Sequence, residues 1–259
     1  MTAARTEKAF LPSASLLAEV MPETVLYLRY QESFRPGGLS VNGPIVDRFD
    51  NDESATFEFG ARHGQPDRGA LDLAASISYT RWRDIQADFI DIAGFPSTAN
   101  IGDGRVWTAS LTAGVQATSG LRLHGGFTWN ESKVDEPQLA FLGRVTQVPN
   151  IAGFTGRVGF DYARPVSDSL ELTAQGWASY VGKSRLGIGP ELGELQGDYL
   201  DSGITVRVGR PEIGLSLGMT NIAGIEGNRF ALGTPFSIGR DQVTPLRPRT
   251  IRLGFDAAF

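Results

Sequence analysis

The chain has 259 residues, a formal net charge of -5, 32 glycines and no cysteine. The charge argues against a nucleic acid or an anionic membrane surface as partner, and the missing cysteines leave thiolate metal sites unsupported. The sequence contains no apolar run of about 18 residues, the length that a membrane-spanning helix requires. Dispersed apolar residues and abundant glycine favour a single β-domain.

Alternating apolar and polar residues, separated by turn residues, predict eleven β-strands. In residues 53–62, for example, Phe57 and Phe59 alternate with Glu58, and near the end Leu253 and Phe255 alternate with Arg252. The predicted strands are 8–20, 23–34, 53–62, 70–92, 98–118, 121–132, 150–163, 168–182, 198–209, 212–222 and 247–259.

The connections between these strands alternate in length. Links after the first, third, fifth, seventh and ninth strands are short, whereas those after the second, sixth, eighth and tenth are long. Outer-membrane β-barrels show this asymmetry between periplasmic turns and extracellular loops. The link after the fourth strand, 93–97, is short where a long one is expected, so we expect its flanking hairpin to project beyond the membrane.

Two architectures fit an amphipathic strand. In a soluble β-protein the apolar face packs into a core, whereas in a transmembrane barrel it faces lipid, with about 9 to 11 residues per crossing. The terminal Phe259, preceded by apolar residues at every second position, is typical of outer-membrane barrels. The deciding positions are Phe57, Phe59, Leu71, Leu73, Leu253 and Phe255.

Aromatic residues near the predicted strand ends support the barrel interpretation weakly, because aromatic girdles mark both membrane interfaces. These residues are Tyr79, Trp107, Trp129, Phe160, Tyr162, Tyr180 and Phe255.

Several stretches together resemble the C-terminal barrel half of TonB-dependent outer-membrane receptors, particularly those of α-proteobacteria. Residues 11–39 end in a phrase similar to Y-x-x-x-F-R-P-G-G, and 71–89 contain a strand similar to Y-x-x-x-D-I-Q. GLRLHGGFTWNESKV, TNIAG and PRTIRLGFDAAF resemble three later strands of the family, so the likeness covers nearly the whole chain.

The resemblance implies an all-β, antiparallel transmembrane barrel portion of about 11 strands, half of a 22-stranded barrel. We expect residues 1–259 to be this C-terminal part, with the plug domain and the N-terminal barrel strands absent from the sequence. Residues 1–8 contain no apolar segment of a signal peptide, so we expect a fragment or the mature side of a longer protein. An odd number of strands would leave unpaired edges in lipid.

The implied function is active uptake of a scarce nutrient such as a siderophore-bound iron, cobalamin or a saccharide across the bacterial outer membrane. The implied partners are outer-membrane lipid, the missing N-terminal plug and barrel half, TonB through that half, and the small-molecule nutrient, with no nucleic acid. Four long loops would carry substrate recognition, because exposed loops on a rigid scaffold are where specificity varies. They are residues 36–52, 133–149, 183–197 and 223–246.

The sequence assigns no catalytic residue, no metal site, no cofactor and no individual substrate contact. Ser216 matches G-x-S-x-G but lies in an alternating strand, not in the strand–turn–helix of a nucleophile elbow. We interpret His63 and His124 as ordinary polar residues. The acidic loop at 46–54 is either a solvated loop, the favoured interpretation, or a Ca²⁺ site formed by Asp47, Asp50, Asp52 and Glu53.

The predicted inward positions carry charges of both signs and form a mixed-charge wall: Arg122, Arg157, Arg207, Arg252, Glu58, Asp72, Asp161, Glu171 and Asp201. In the family that wall packs against the plug and lines the solute path. Two alternatives remain open, an outer-membrane barrel enzyme that hydrolyses lipid and a passive pore assembled from several chains.

Overall fold

The computed structural model describes residues 6–42, 45–66, 68–90, 96–138, 145–188, 195–233 and 241–258. Within these ranges the regular secondary structure is β-strand, and no helix is long and apolar enough to cross a membrane. The expected terminal position Phe259 lies outside the described residues.

One large antiparallel sheet contains eleven strands, as the alternation predicts. Each strand pairs with the preceding and following sheet strand along the chain, and the first and last strands form the two edges. The strands are β1 (Ser13–Met21), β2 (Thr24–Arg35), β5 (Asp52–Gln65), β6 (Arg68–Arg83), β9 (Gly102–Thr118), β10 (Leu121–Pro137), β11 (Phe154–Ser167), β12 (Leu170–Val181), β15 (Tyr199–Gly209), β16 (Ile213–Thr220) and β19 (Thr250–Ala257).

Four small hairpins lie in the long connections. They are β3 (Gly38–Asn42) with β4 (Ile45–Phe49), β7 (Gln86–Ile90) with β8 (Pro96–Asn100), β13 (Ser184–Arg185) with β14 (Leu195–Gln196), and β17 (Asn228–Gly233) with β18 (Asp241–Pro245). Because the sheet is an antiparallel meander, all short connections lie at one end and all long ones at the other. We call these the turn end and the loop end.

The register gives the sheet one apolar and one polar face. Phe59 opposes Leu28 and Ile77, whereas Glu58, the next residue, opposes Arg29 and Ser78. The apolar side chains are not packed into an interior: Phe57 is 58% exposed and Leu253 is 78% exposed. Phe59, Leu71, Leu73 and Phe255 are exposed as well. The expectation that these residues point away from the protein is therefore confirmed.

Glycines on the sheet make room for large neighbours. The phenol ring of Tyr27 on β2 lies over Gly60 on β5, where any Cβ atom would overlap the ring. The indole of Trp177 covers Gly203 on β15 in the same way. A flat aromatic side chain can thus lie along the sheet surface, which explains part of the high glycine content.

The buried core lies at the loop end. Ile85 and Ile101 at the base of the β7–β8 hairpin are 1% and 0% exposed. They pack with Val106 and Val134, which lie on the polar face of β9 and β10, and with side chains of the connections around 145–151 and 188. The loops therefore fold over the polar face at this end.

The structure corrects the predicted fourth strand, 70–92, and residues 93–95 of the predicted link 93–97 lie outside the described residues. The sheet strand β6 ends at Arg83, and residues 84–101 form a long connection that contains the β7–β8 hairpin. Asp84 adopts a φ of 50°, so the chain turns away from the sheet there. The connection after β6 is therefore long and contains a separate small hairpin, so the short and long connections alternate without exception.

Other predicted bounds also shift. The starts at 8, 98 and 150 are too early, because the sheet strands begin at Ser13, Gly102 and Phe154. The sixth strand is longer than predicted and ends at Pro137, so the loop predicted at 133–149 begins later. Alternation in the flanking residues belongs to hairpins or irregular segments, which periodicity alone does not separate from the sheet.

Candidate functional site

The polar face near β2 and β5 carries a hydrogen-bonded charge group. Glu58 accepts from the Tyr27 hydroxyl at Oε1 and from the Arg29 guanidinium at Oε2, both at 2.6 Å. The Arg62 guanidinium lies 5.3 Å from the centre of the Tyr27 ring, in cation–π geometry. The Tyr27 hydroxyl and one face of its ring therefore both make polar contacts, and these contacts join β2 and β5 on their polar side.

A second charge group lies on the neighbouring strands. Arg122 on β10 pairs with Asp72 on β6, across Gly114 on β9, and the two side chains are only 11% and 15% exposed. On the same face His124 Nδ1 lies 3.3 Å from Asp161 Oδ2. The arginine and the histidine of β10 thus lie between a carboxylate on β6 and a carboxylate on β11.

The polar face continues in the same pattern towards β19. Arg157 lies 5.0 Å from the centre of the Trp177 ring. Arg207 donates to Asp256 through Nη2 at 2.6 Å and through Nε at 3.0 Å. The register places every residue of the predicted mixed-charge wall on this face.

A polar network joins two long connections at the loop end. Asp52, at the start of β5, is buried and accepts from the Arg35 guanidinium and from the Gln86 backbone N–H at 3.2 Å. The Gln86 side-chain amide donates to the backbone oxygens of Pro36 and Asp50 at 3.0 and 2.9 Å. The Asn100 side-chain amide donates to the backbone oxygens of Asp50 and Asp84.

Two carboxyl groups in the connections at the loop end, Asp84 and Asp198, have shifted pKa values. Desolvation, followed by the charges of Asp103, Asp50 and Glu53, raises the pKa of Asp84. The hydrogen bond from the Tyr180 hydroxyl, followed by that from Lys183, lowers the pKa of Asp198. At the loop end, Asp198 therefore favours its charged form. The charged form of Asp84 is disfavoured, because the group is desolvated and lies beside other acidic residues.

The acidic loop at 46–54 does not gather its carboxylates around a metal site. Asp52 pairs with Arg35, and Glu53 accepts from the Asn51 side chain at 3.2 Å. Within the described part of the chain, no group of three or more acidic or histidine side chains is arranged to hold a metal ion. The described structure therefore does not bring these carboxylates together as the Ca²⁺ interpretation requires, and Asp52 already has a cationic partner.

The remaining candidate residues lie in ordinary structural positions. Ser216 lies within β16, opposite Arg207 on β15 and Gly254 on β19, without the turn and helix of a nucleophile elbow. His63 Nδ1 lies 2.8 Å from the Thr24 hydroxyl near the turn end. Neither residue belongs to a catalytic arrangement.

Aromatic side chains form a band on the apolar face towards the loop end. The ring centres of Tyr79 and Trp107 are 4.8 Å apart, and Phe154 lies 6.2 Å from Tyr180. Tyr30 and Phe57 continue the band at 4.7 Å. Phe160, Tyr162 and Phe255 share the apolar face nearer the turn end. This is the arrangement of interfacial girdles in membrane barrels.

Comparison with known proteins agrees with this geometry. A family model described as "TonB dependent receptor-like, beta-barrel" matches residues 2–222. None of the curated proteins matches the chain.

Several solved structures share the fold. The ferric yersiniabactin uptake receptor FyuA from Yersinia pestis matches with a TM-score of 0.76 and 15% identity, over 96% of this chain and 37% of the receptor. The siderophore receptor PiuA from Acinetobacter baumannii matches with a TM-score of 0.72 and 18% identity, over 95% and 35%. The copper transporter OprC matches with a TM-score of 0.72 and 16% identity, over 95% and 40%.

At these identities the comparisons with solved structures show the fold alone. The chain spans 37% and 35% of the first two receptors, little more than a third of their length. The activities of those complete receptors therefore do not transfer directly to this chain.

Proposed function

The chain belongs to the family of TonB-dependent receptor β-barrels, and we propose that it forms part of the wall of an outer-membrane receptor that actively takes up a scarce nutrient. The family and the structural neighbours are transport receptors, not enzymes. The proposal depends above all on the exposed apolar face of the eleven-stranded sheet, since such a face suits hydrocarbon and its polar opposite suits a solute path.

The sheet edges support the proposal that more barrel strands complete the wall. β1 and β19 each pair with one neighbour in the described sheet, so their outer backbone groups require partners in lipid, where each unsatisfied group costs several kcal/mol. We propose that an N-terminal barrel half supplies these partners and that a plug domain fills the interior. TonB would act through that part of the protein.

The candidate nutrients are a ferric siderophore, cobalamin and a saccharide. Ferric yersiniabactin and copper stand in the names of two structural neighbours, which supports a metal-containing nutrient. Recognition would fall to the connections at the loop end, since they fold over the polar face and would be met first by an incoming solute.

Cysteine labelling tests the orientation of the wall in the complete gene product. Leu253→Cys and Arg252→Cys place a thiol on opposite faces of β19 at neighbouring positions. In outer membranes we expect a lipid-soluble maleimide to label position 253 and a water-soluble one to label position 252. Equal labelling of both positions by the water-soluble reagent would remove the basis for a membrane wall.

Uptake measurements test the transport function. The complete gene product is produced in cells that lack their own high-affinity receptors, with and without TonB. The substrates are labelled ferric siderophores, cobalamin and maltodextrins. We expect accumulation of one class only when TonB is present. Accumulation independent of TonB would support a passive pore instead, and accumulation of no class would contradict the proposal.

A further inference from the structure

A cavity of about 510 Å³ opens on the polar face close to the loop end. This volume lies within the range of about 300–1,000 Å³ that is typical of small-molecule sites. Its polar lining comes from three neighbouring sheet strands and from the connections that fold over them: Thr108, Asn130, Thr155, Asn150, Gln196 and Arg229. The register places the three sheet residues on the polar face, so the cavity faces the proposed solute path.

Hydrogen bonds between distant segments fix the walls of the cavity. The Asn130 side chain accepts from the Thr108 hydroxyl at 2.8 Å and donates to the Ala152 oxygen at 2.9 Å. The Asn150 side chain accepts from Gln196 at 3.1 Å and donates to the Leu186 oxygen at 2.8 Å. Two connections are therefore tied to each other and to β10, which pre-organises the site.

Backbone conformations in the connections also fix the walls of the cavity. Asn150 has a φ of 61°, and Gly197 has a φ of 86° with no room for a Cβ atom beside the Gly182 oxygen. The Gly197 N–H donates to the Asn228 oxygen at 3.0 Å. This bond brings the start of β17, and with it Arg229, to the edge of the cavity.

The lining has a marked charge asymmetry. Arg229 is the charged side chain in a lining of hydroxyls, amides and apolar groups, and no carboxylate is among the described lining residues. Arg229 forms no salt bridge with a residue that the structure describes. A guanidinium beside neutral hydrogen-bonding groups suits an anion, because Arg binds carboxylates and phosphates through a planar pair of N–H donors.

We propose that this cavity binds an oxygen-rich organic anion, with Arg229 contacting a carboxylate and Thr155 and Asn130 contacting further oxygens. The proposal rests on the proposed uptake function and narrows it, because it favours an anionic chelate over a neutral saccharide. Arg229 acts as the charge-selecting residue, and the hydrogen-bonded asparagines hold the binding surface in shape.

Binding to the complete gene product, purified in detergent, tests the proposal. The probe is citrate, a small tricarboxylate, and its uncharged triamide serves as the matched neutral probe. Titration calorimetry on the wild type should detect citrate and not the triamide. Citrate affinity should fall with increasing salt, since ionic screening weakens an Arg–carboxylate contact at an open site.

Three variants distinguish citrate binding in the cavity from nonspecific attraction between citrate and the positive charges of the protein. Arg229→Gln should weaken citrate binding about tenfold or more, since hydrogen bonds to charged groups are among the stronger polar contacts. Arg229→Lys should retain part of the affinity. Arg210→Gln removes the same charge at the turn end, far along the sheet from the cavity. The contact of Arg210 with the Arg207 guanidinium is made by its backbone oxygen, so the variant keeps that contact and should bind citrate as the wild type does.

The proposal is overturned if wild-type protein binds neither probe, if it binds both equally, or if Arg229→Gln and Arg210→Gln weaken citrate binding to the same extent. These outcomes are independent of the uptake function. TonB-dependent accumulation of a neutral nutrient with unchanged Arg229→Gln activity would leave the proposed receptor intact and remove only the anion site.

Discussion

At the scale of single residues, a buried carboxylate at the loop end, Asp52, connects distant segments of the chain. Asp52 is 3% exposed and yet carries a charge, which is sustainable because Arg35 and the Gln86 N–H surround its oxygens. The same contacts connect two segments that are far apart in sequence. A single carboxylate thus fixes how the β7–β8 connection sits on the sheet.

Replacing this carboxylate should loosen that connection. Asp52→Ala leaves the Gln86 N–H and the Arg35 guanidinium without their acceptor, at a cost of about 1–3 kcal/mol. We expect the backbone N–H of Gln86 to exchange its hydrogen at least about tenfold faster than in the wild type. Hydrogen–deuterium exchange on the complete protein measures this rate.

The neighbouring Asn51→Ala provides the control, because that side chain donates to Glu53 near the surface. Its exchange pattern should match the wild type. If Asp52→Ala also leaves the exchange of Gln86 unchanged, the network does not hold the connection and the burial of Asp52 has another explanation.

At the scale of elements, lysine substitutions at two adjacent residues of one strand should change the stability by very different amounts. Ile77 on β6 points to the apolar face between Phe59 and Ala109, and Ser78 points to the polar face opposite Glu58. Lysine at a lipid-facing midplane position costs about 2–4 kcal/mol, whereas a polar-face lysine beside a carboxylate should change stability by about 0.5 kcal/mol or less.

The measurement is the free energy of urea unfolding for Ile77→Lys and Ser78→Lys in lipid vesicles. Both variants carry the same new side chain, and the difference in strand propensity between the replaced Ile and Ser amounts to at most about 1 kcal/mol. A similar loss of stability at both positions would contradict the assignment of the two faces.

The eleven sheet strands follow from sequence periodicity, because a strand with one apolar and one polar face repeats every second residue. The register agrees with this pattern, because Leu123 opposes Val115 and Phe160, so that apolar residues of neighbouring strands share one face. The polar face was equally predictable, including Arg122, Arg157 and Arg207. The residue pattern within each of these strands is therefore sufficient to predict which side chains lie on the apolar face and which on the polar face.

The structure of the loop end could not be predicted from the sequence, because it depends on contacts between distant segments. Ile85 and Ile101 share a buried cluster with Val106 and with residues of connections much later in the chain, such as Ile188. Nothing local distinguishes them from a continuing strand, although the unusual length of the predicted fourth strand was a signal. Likewise, the contact between Gly197 and Asn228, two residues distant in sequence, brings Arg229 to the cavity.

At the scale of the whole molecule, the direction of the edge strands restricts how the wall can close. In an antiparallel meander of eleven strands the first and the last run in the same direction, so β1 and β19 cannot pair antiparallel with each other. An odd number of further strands between them restores antiparallel pairing throughout and gives the even total of single-chain bacterial barrels. The proposed N-terminal half meets this requirement.

The free edges make a prediction that compares the chain alone with the complete protein. In the isolated chain in detergent, alternate N–H groups on the outer side of β1 have no strand partner and should exchange hydrogen within the fastest class, whereas β9, paired on both sides, should be protected. In the complete protein the neighbouring strand of the N-terminal half should protect β1 as well. Because β9 reports on the integrity of the sheet in both samples, a slow β1 in the isolated chain would mean that β1 already has a partner. That result would point to self-association or to closure through a parallel β1–β19 pair, and the further barrel half would then not be needed to satisfy this edge.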